Sequence, residues 1–157
     1  MKHQNLLVLL ITIFSVITIS CSNDEEDEDL MGKWYRVSDF DGLARGEATS
    51  FTIGNKGYLT GGYDGRKHLI DFWEYDMELD FWTQKASFPG TPRSSATAFS
   101  IDTKGYFGTG YDGKNYFKDF WEYNPETNVW SSKTDYPGSA RNDATAFGLS
   151  DKGYLGS

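Results

Sequence analysis

Asp71-Phe72-Trp73-Glu74-Tyr75 returns unchanged as Asp119-Phe120-Trp121-Glu122-Tyr123, and this doubled stretch decides how the chain is read. The interval between the copies, 119 − 71, is 48 residues. The same interval separates Trp34, Trp82 and Trp130, and it separates Arg45, Arg93 and Arg141. Gly57-Tyr58 recurs as Gly105-Tyr106 and Gly153-Tyr154, and Tyr63-Asp64-Gly65 recurs as Tyr111-Asp112-Gly113. No residue is inserted or deleted between copies, so each period is one structural unit repeated along the chain.

Working outward from the doubled stretch, one period resolves into four short strand candidates. Ala96–Ile101 alternates small and larger residues, and Asp102-Thr103-Lys104-Gly105 follows as a tight turn whose Gly can take positive φ. Tyr106–Gly110 is the second candidate and leads into a longer loop, Tyr111–Lys118. Phe120–Tyr123 is the third, closed by Asn124–Asn128, where Pro125 presets the turn and an Asn tolerates the left-handed region. Val129–Ser132 is the fourth, ended by Tyr136-Pro137-Gly138. The composition agrees: aromatics make up 17% of the chain and there are 17 glycines, which favours strands and tight turns over helices. Four antiparallel strands in a period of about 40 to 50 residues make the blade of a β-propeller.

The pattern resembles the Kelch family. A Gly pair closing the second strand, a Tyr in the third and a Trp in the fourth match Gly61-Gly62, Tyr75 and Trp82; the next copy keeps Tyr123 and Trp130 but splits the pair as Gly108-Thr109-Gly110. The resemblance runs from Trp34 to Ser157 and implies an all-β fold, a Kelch-type β-propeller that is incomplete. Two whole four-stranded blades are expected at 46–93 and 94–141, with part of a third at 142–157 and a clasp strand at 33–38. Closed propellers have about four to eight blades. The expectation is therefore of a chain that stops inside a blade, with Trp34 awaiting a partner.

The first thirty residues read as targeting. Lys2 and His3 precede an apolar stretch from Leu6 to Ile19, too short for a span of about 20 residues and suited to a secretory signal. Thr18-Ile19-Ser20-Cys21 resembles a bacterial lipobox, with Thr18 in place of the usual Leu, and Cys21 is the chain's single cysteine. Residues 1–20 are thus expected to be a lipoprotein signal peptide, and 21–32 a lipidated Cys with an acidic tether. Asp24 to Asp29 are six carboxylates in a row against a net charge of −8, so the folded part is near balance. An acidic cluster behind a lipidated cysteine resembles a surface-export signal. It implies an outer-membrane lipoprotein exposed at the cell surface, with a periplasm-facing one as the alternative.

The search for chemistry finds little. The two histidines, His3 and His68, stand apart, so no metal-site spacing is present, and neither a catalytic triad nor a phosphate-binding loop occurs. Galactose oxidase shares the Kelch propeller, but its copper centre needs a Cys-linked Tyr and histidines that this sequence does not supply. No catalytic residue, metal or cofactor is expected, and without a basic patch nucleic acid is excluded as a partner.

Repetition separates architecture from recognition: a residue kept in every copy serves the fold, and a ligand site breaks the symmetry. Trp34, Trp82, Trp130, Tyr75, Tyr123, Arg45, Arg93 and Arg141 are accordingly structural. The arginines are expected to satisfy carbonyls or a carboxylate such as Asp64 or Asp112 between blades. Asymmetry concentrates in the loop after the second strand, which makes Arg66, Lys67, His68, Lys114, Asn115 and Tyr116 the candidate binding residues. That loop should share a face with the connections Pro89–Ser94 and Pro137–Asn142. The function expected is a non-catalytic, surface-anchored binding or scaffold module that meets the membrane through its lipid and a protein or glycan through the propeller loop face. The rival is a propeller enzyme acting on sugars, an epimerase, mutarotase or galactose-oxidase-like protein, with its site in the central channel. Kelch-based sialic-acid epimerases use polar residues there.

Overall fold

The computed structural model describes residues 34–156; the expected signal segment, Cys21 and the acidic tether lie outside the described residues. Trp34, Tyr35 and Arg36 belong to a unit of their own and are exposed, Trp34 by 96%. Lys33 of the clasp strand expected at 33–38 lies outside the described residues, and residues 34–38 pair with no strand among the described ones.

The second unit holds ten strands. Sheet one contains β1 (Thr49–Ile53), β2 (Lys56–Thr60), β3 (Phe72–Asp76) and β4 (Phe81–Lys85). Sheet two contains β5 (Thr97–Ile101), β6 (Lys104–Gly108), β7 (Phe120–Asn124) and β8 (Val129–Lys133). Sheet three is the hairpin β9 (Thr145–Leu149) and β10 (Lys152–Gly156). Every pairing is antiparallel between sequence neighbours, and the register repeats: Gly57 faces Tyr75 as Gly105 faces Tyr123. The first strands, β1, β5 and β9, pack side by side and form the inner edge of the three sheets.

The doubled D-F-W-E-Y stretch does four jobs in each copy. Phe72 is fully buried where Phe120 is half-buried, and Trp73 donates its indole N–H to Asp71 at 2.7 Å as Trp121 does to Asp119 at 2.8 Å. Glu74 accepts from the Tyr58 hydroxyl at 2.9 Å and from Lys56 Nζ at 2.8 Å; Glu122 accepts from Tyr106 at 2.9 Å and pairs with Lys133. Tyr75 and Tyr123 donate to Asp80 and Asn128, which hold the turn before the fourth strand with positive φ.

The core lies between sheets one and two. Phe51, Tyr58 and Phe72 of the first meet Phe107, Tyr123 and Trp130 of the second, with Phe88 from the connection. Trp130 sits 4.9 Å from Phe72 between ring centroids and donates its indole N–H to Ala86 O at 2.9 Å, so the fourth-strand Trp ties its sheet to the previous one. Phe40 packs on Trp82 at 4.8 Å as Phe88 packs on Trp130 at 5.7 Å. Aromatic pairs of this kind add about 0.5–1.5 kcal/mol beyond their burial.

The turn expectation for Gly105 is corrected. The positive φ falls at the first loop residue, Asp102 (φ 50), as at Gly54 and Ser150, while Gly105 lies inside β6. Glycine is needed there because the Phe51 ring lies directly over it, where a Cβ would collide with ring carbons. The second strand therefore begins at Lys104 rather than Tyr106.

Candidate functional site

The inner ends of the first strands carry a repeated backbone device. In the segments Arg45-Gly46-Glu47-Ala48-Thr49, Arg93-Ser94-Ser95-Ala96-Thr97 and Arg141-Asn142-Asp143-Ala144-Thr145, the third residue takes a left-handed conformation, with φ of 55° at Glu47, 51° at Ser95 and 53° at Asp143. The Ser95 N–H donates to Glu47 O and the Asp143 N–H to Ser95 O, both at 3.0 Å. This ladder runs from sheet to sheet around the inner edge. Left-handed φ is unfavourable for residues other than glycine, by roughly 1–2 kcal/mol each. The ladder and the flanking repeats impose it at all three places.

On this common backbone the side chains differ. The Glu47 carboxylate accepts from the Ser94 hydroxyl at 2.6 Å and from Ser95 at 3.3 Å, and Asn142 Nδ2 donates to Asp143 at 2.7 Å. Together they floor an open cleft of 420 Å³ whose rim is Tyr63, His68, Tyr111 and Gly113. The rim is brought there by isolated bridges between loop and connection, Gly46 to Tyr63 and Ser94 to Tyr111. The shared face expected for the second-to-third-strand loop and the inter-sheet connection is thus seen in the ladder itself.

The six loop candidates divide. His68 lines the cleft and packs on Tyr63, with ring centroids 4.9 Å apart. In the next sheet Tyr116 packs on Tyr111 at 4.8 Å but does not line the cleft. Arg66, Lys67, Lys114 and Asn115 are exposed at the loop tips, held by their backbone: Asp64 Oδ1 accepts from Arg66 N and Lys67 N, and Asp112 Oδ1 from Lys114 N and Asn115 N. Those bonds, from Lys67 and Arg66 in one loop and led by Asn115 in the other, hold both carboxyls below the usual range.

Asp64 and Asp112 are therefore loop caps, and the expectation that they pair with the repeated arginines is corrected. Arg45 reaches Asp71 through two bonds of 2.6 Å, and Arg93 grips Asp119, with Nη2 at 3.0 Å. Arg93 is 1% exposed; it also donates to Thr91 O and Thr109 O at 3.0 Å and lies over the Phe117 ring at 3.9 Å. Its own carbonyl accepts from Gly62 N at 2.9 Å. Arg93 thus fastens sheet one to sheet two, and its charge is spent inside the protein, away from the cleft.

Sequence reasoning missed Glu47, Ser95 and Asp143. The signal was present: two variable positions stand between an unvarying Arg and an unvarying Ala-Thr in all three copies. The resulting cleft offers carboxylate, hydroxyl and amide groups beside aromatic faces, which suits hydrogen-bonding recognition of a polar ligand. Among the described residues no group of three or more His, Cys, Asp or Glu is placed to hold a metal ion.

Comparison with known proteins agrees with this architecture. The Kelch motif matches residues 44–89 and 110–135. No curated protein matches the chain. Among solved structures, that titled "Structure of YjhT" is similar, with a TM-score of 0.70 at 20% identity, over 78% of this chain and 46% of that one. The chain therefore spans about half the length of this neighbour, and the likeness shows the fold.

Proposed function

We propose that this Kelch-type β-propeller chain, two whole four-stranded blades and part of a third, is the binding module of a lipid-anchored surface protein and takes a protein or glycan ligand at the inner cleft. One observation carries the reading. Glu47, Ser95 and Asp143 occupy the same backbone place in three successive blades, at the same strained φ, yet bear three different side chains. Architecture accounts for the shared backbone and leaves the choice of side chain open to recognition. His68, Tyr63 and Tyr111 add aromatic faces at the rim, which suit a sugar ring or a peptide side chain equally. The anchor rests on Cys21 behind the apolar stretch Leu6 to Ile19 and ahead of the acidic run, which would hold the module off the membrane.

The test is equilibrium binding of the full chain, in mild detergent, to arrays of oligosaccharides and of peptides. Glu47→Gln with Asp143→Asn, and separately His68→Ala, should weaken the selected ligand at least about tenfold, since a hydrogen bond to a charged group contributes about 1.5–3 kcal/mol. Binding that ignores both variants overturns the assignment of the cleft. Chemical conversion of a bound sugar would replace the binding module with a propeller enzyme.

A further inference from the structure

The floor of the inner cleft is built to accept hydrogen bonds. Ser94 is 2% exposed and gives its single hydroxyl proton to Glu47 Oε2 across the junction between sheets one and two, at 2.6 Å. Ser95 turns its own proton to the same oxygen at 3.3 Å, and Asn142 Nδ2 donates to Asp143 Oδ2 at 2.7 Å. A hydroxyl has one proton to donate, whereas a carboxylate has about four acceptor sites. Both serines therefore keep only lone pairs for a ligand, and each carboxylate keeps acceptor sites beyond the bonds from its neighbours. The repeat does not account for Ser94, since the corresponding places before and after it hold Gly46 and Asn142.

These acceptors are spread along the cleft. Glu47, Ser95 and Asp143 stand on successive rungs, joined by the bonds from Ser95 N to Glu47 O and from Asp143 N to Ser95 O. Backbones bonded in this way lie about 5 Å apart, which puts those of Glu47 and Asp143 about 10 Å apart. An ammonium group donates from one point, while a sugar ring carries hydroxyl donors around its whole edge. Tyr63 and Tyr111 flank the floor, each steadied by the ring five places on, His68 at 4.9 Å and Tyr116 at 4.8 Å. Their apolar faces suit the C–H side of a sugar ring. Resting on the cleft proposed above, we infer that its ligand is a neutral sugar, whose hydroxyls donate to Glu47 and Asp143 while a ring face lies on Tyr63 or Tyr111. Acidic sugars are turned away, because a carboxylate or phosphate brings acceptors to acceptors and negative charge to two carboxylates.

Isothermal titration of the full 157-residue chain, in a detergent without a sugar headgroup, tests the inference. The probes are neutral trimers of glucose, galactose and mannose, the corresponding uronic-acid trimers, and the peptide Lys-Lys-Lys. At least one neutral trimer should bind, with its uronic counterpart and the peptide weaker by at least about tenfold. Glu47→Gln with Asp143→Asn should weaken that trimer at least about tenfold and cut its preference over the uronic form to about threefold or less, because amides add donors. Each substitution alone, read the same way, guards against misfolding of the pair. A uronic trimer or the peptide bound as tightly as the best neutral trimer overturns the inference, and so does the absence of binding to every neutral trimer. Where the double variant loses that uronic trimer or peptide, the cleft stands and only its sugar chemistry falls. A neutral trimer held equally by wild type and variants removes the cleft, and the inference with it.

Discussion

Arg93 shows how a residue can be legible as structural while its partner is not. Its recurrence at 48-residue intervals marked it as architectural, but the carboxylate it grips lies 26 residues away in the doubled stretch, and nothing local links the two. The nearer-looking aspartates, Asp64 and Asp112, turned out to be caps of their own loops. Asp119→Ala would leave a guanidinium that is 1% exposed without its counter-charge. Breaking a buried pair costs about 3–5 kcal/mol, and because Asp119 is itself 30% exposed the loss should fall near the lower end, at about 3 kcal/mol by chemical denaturation. Thr109 predicts the opposite sign. It stands where the preceding blade has Gly61, with φ 59, fully buried and with its hydroxyl unpartnered among the described residues. Thr109→Gly should therefore stabilise the chain by about 1 kcal/mol, as the relief of left-handed strain and of a buried orphan hydroxyl outweighs the entropy glycine adds to the unfolded state. A lower denaturation midpoint for this variant would show that the strain is compensated in place.

At the scale of the strands, the order and antiparallel pairing were legible because turn residues and period-2 patterns are local. The start of the second strand was not, since Gly105 reads as a turn residue until the Phe51 ring of another sheet is placed over it. The same holds for Glu74 and Glu122, whose roles depend on three strands meeting. Burial alone pushes the Glu74 carboxyl up, but bonds from Lys56 and Tyr58 outweigh it and hold the group below its ordinary value of 4.5; the bond from Lys133 leads the same lowering at Glu122. A carboxyl depressed by folding contributes stability that is present above its unfolded pKa and is lost as the pH falls through the folded one. The melting temperature should thus be level near neutrality and drop once the pH passes below about 4.5, with a shallower drop in Glu74→Gln. At the other extreme, burial and then the bond to Glu122 push the Tyr106 phenol up to about 12, and burial with the Glu74 charge pushes Tyr123 up to about 12. Folding favours their neutral forms, so stability should fall between about pH 10 and 12, as a phenolate absorbance titration alongside the melt would register.

For the whole molecule, the repeat made the propeller architecture readable from one sequence, and the structure bears it out in two four-stranded sheets and a third hairpin. The proposed cleft was only half readable. His68 stood out as a difference between loops, whereas Glu47, Ser95 and Asp143 are far apart in sequence and meet only when the sheets close around their inner edge. The proposed anchor is testable independently: Cys21→Ser should move the chain from the membrane fraction to the soluble one. Acyl chains contribute about 0.8 kcal/mol per buried CH₂, enough for two or three chains to hold the protein firmly.

The central claim is that the repeated backbone builds the fold while the unrepeated side chains upon it bind. The variant Glu47→Gly, Ser95→Gly, Asp143→Gly tests both halves together, because glycine keeps the ladder N–H and carbonyl groups, accepts the left-handed φ, and removes all three side chains. Measured side by side on the oligosaccharide and peptide arrays and in a thermal melt, the account predicts a chain that melts no lower than wild type and holds no ligand. Ligand retained at wild-type affinity by this variant would contradict it.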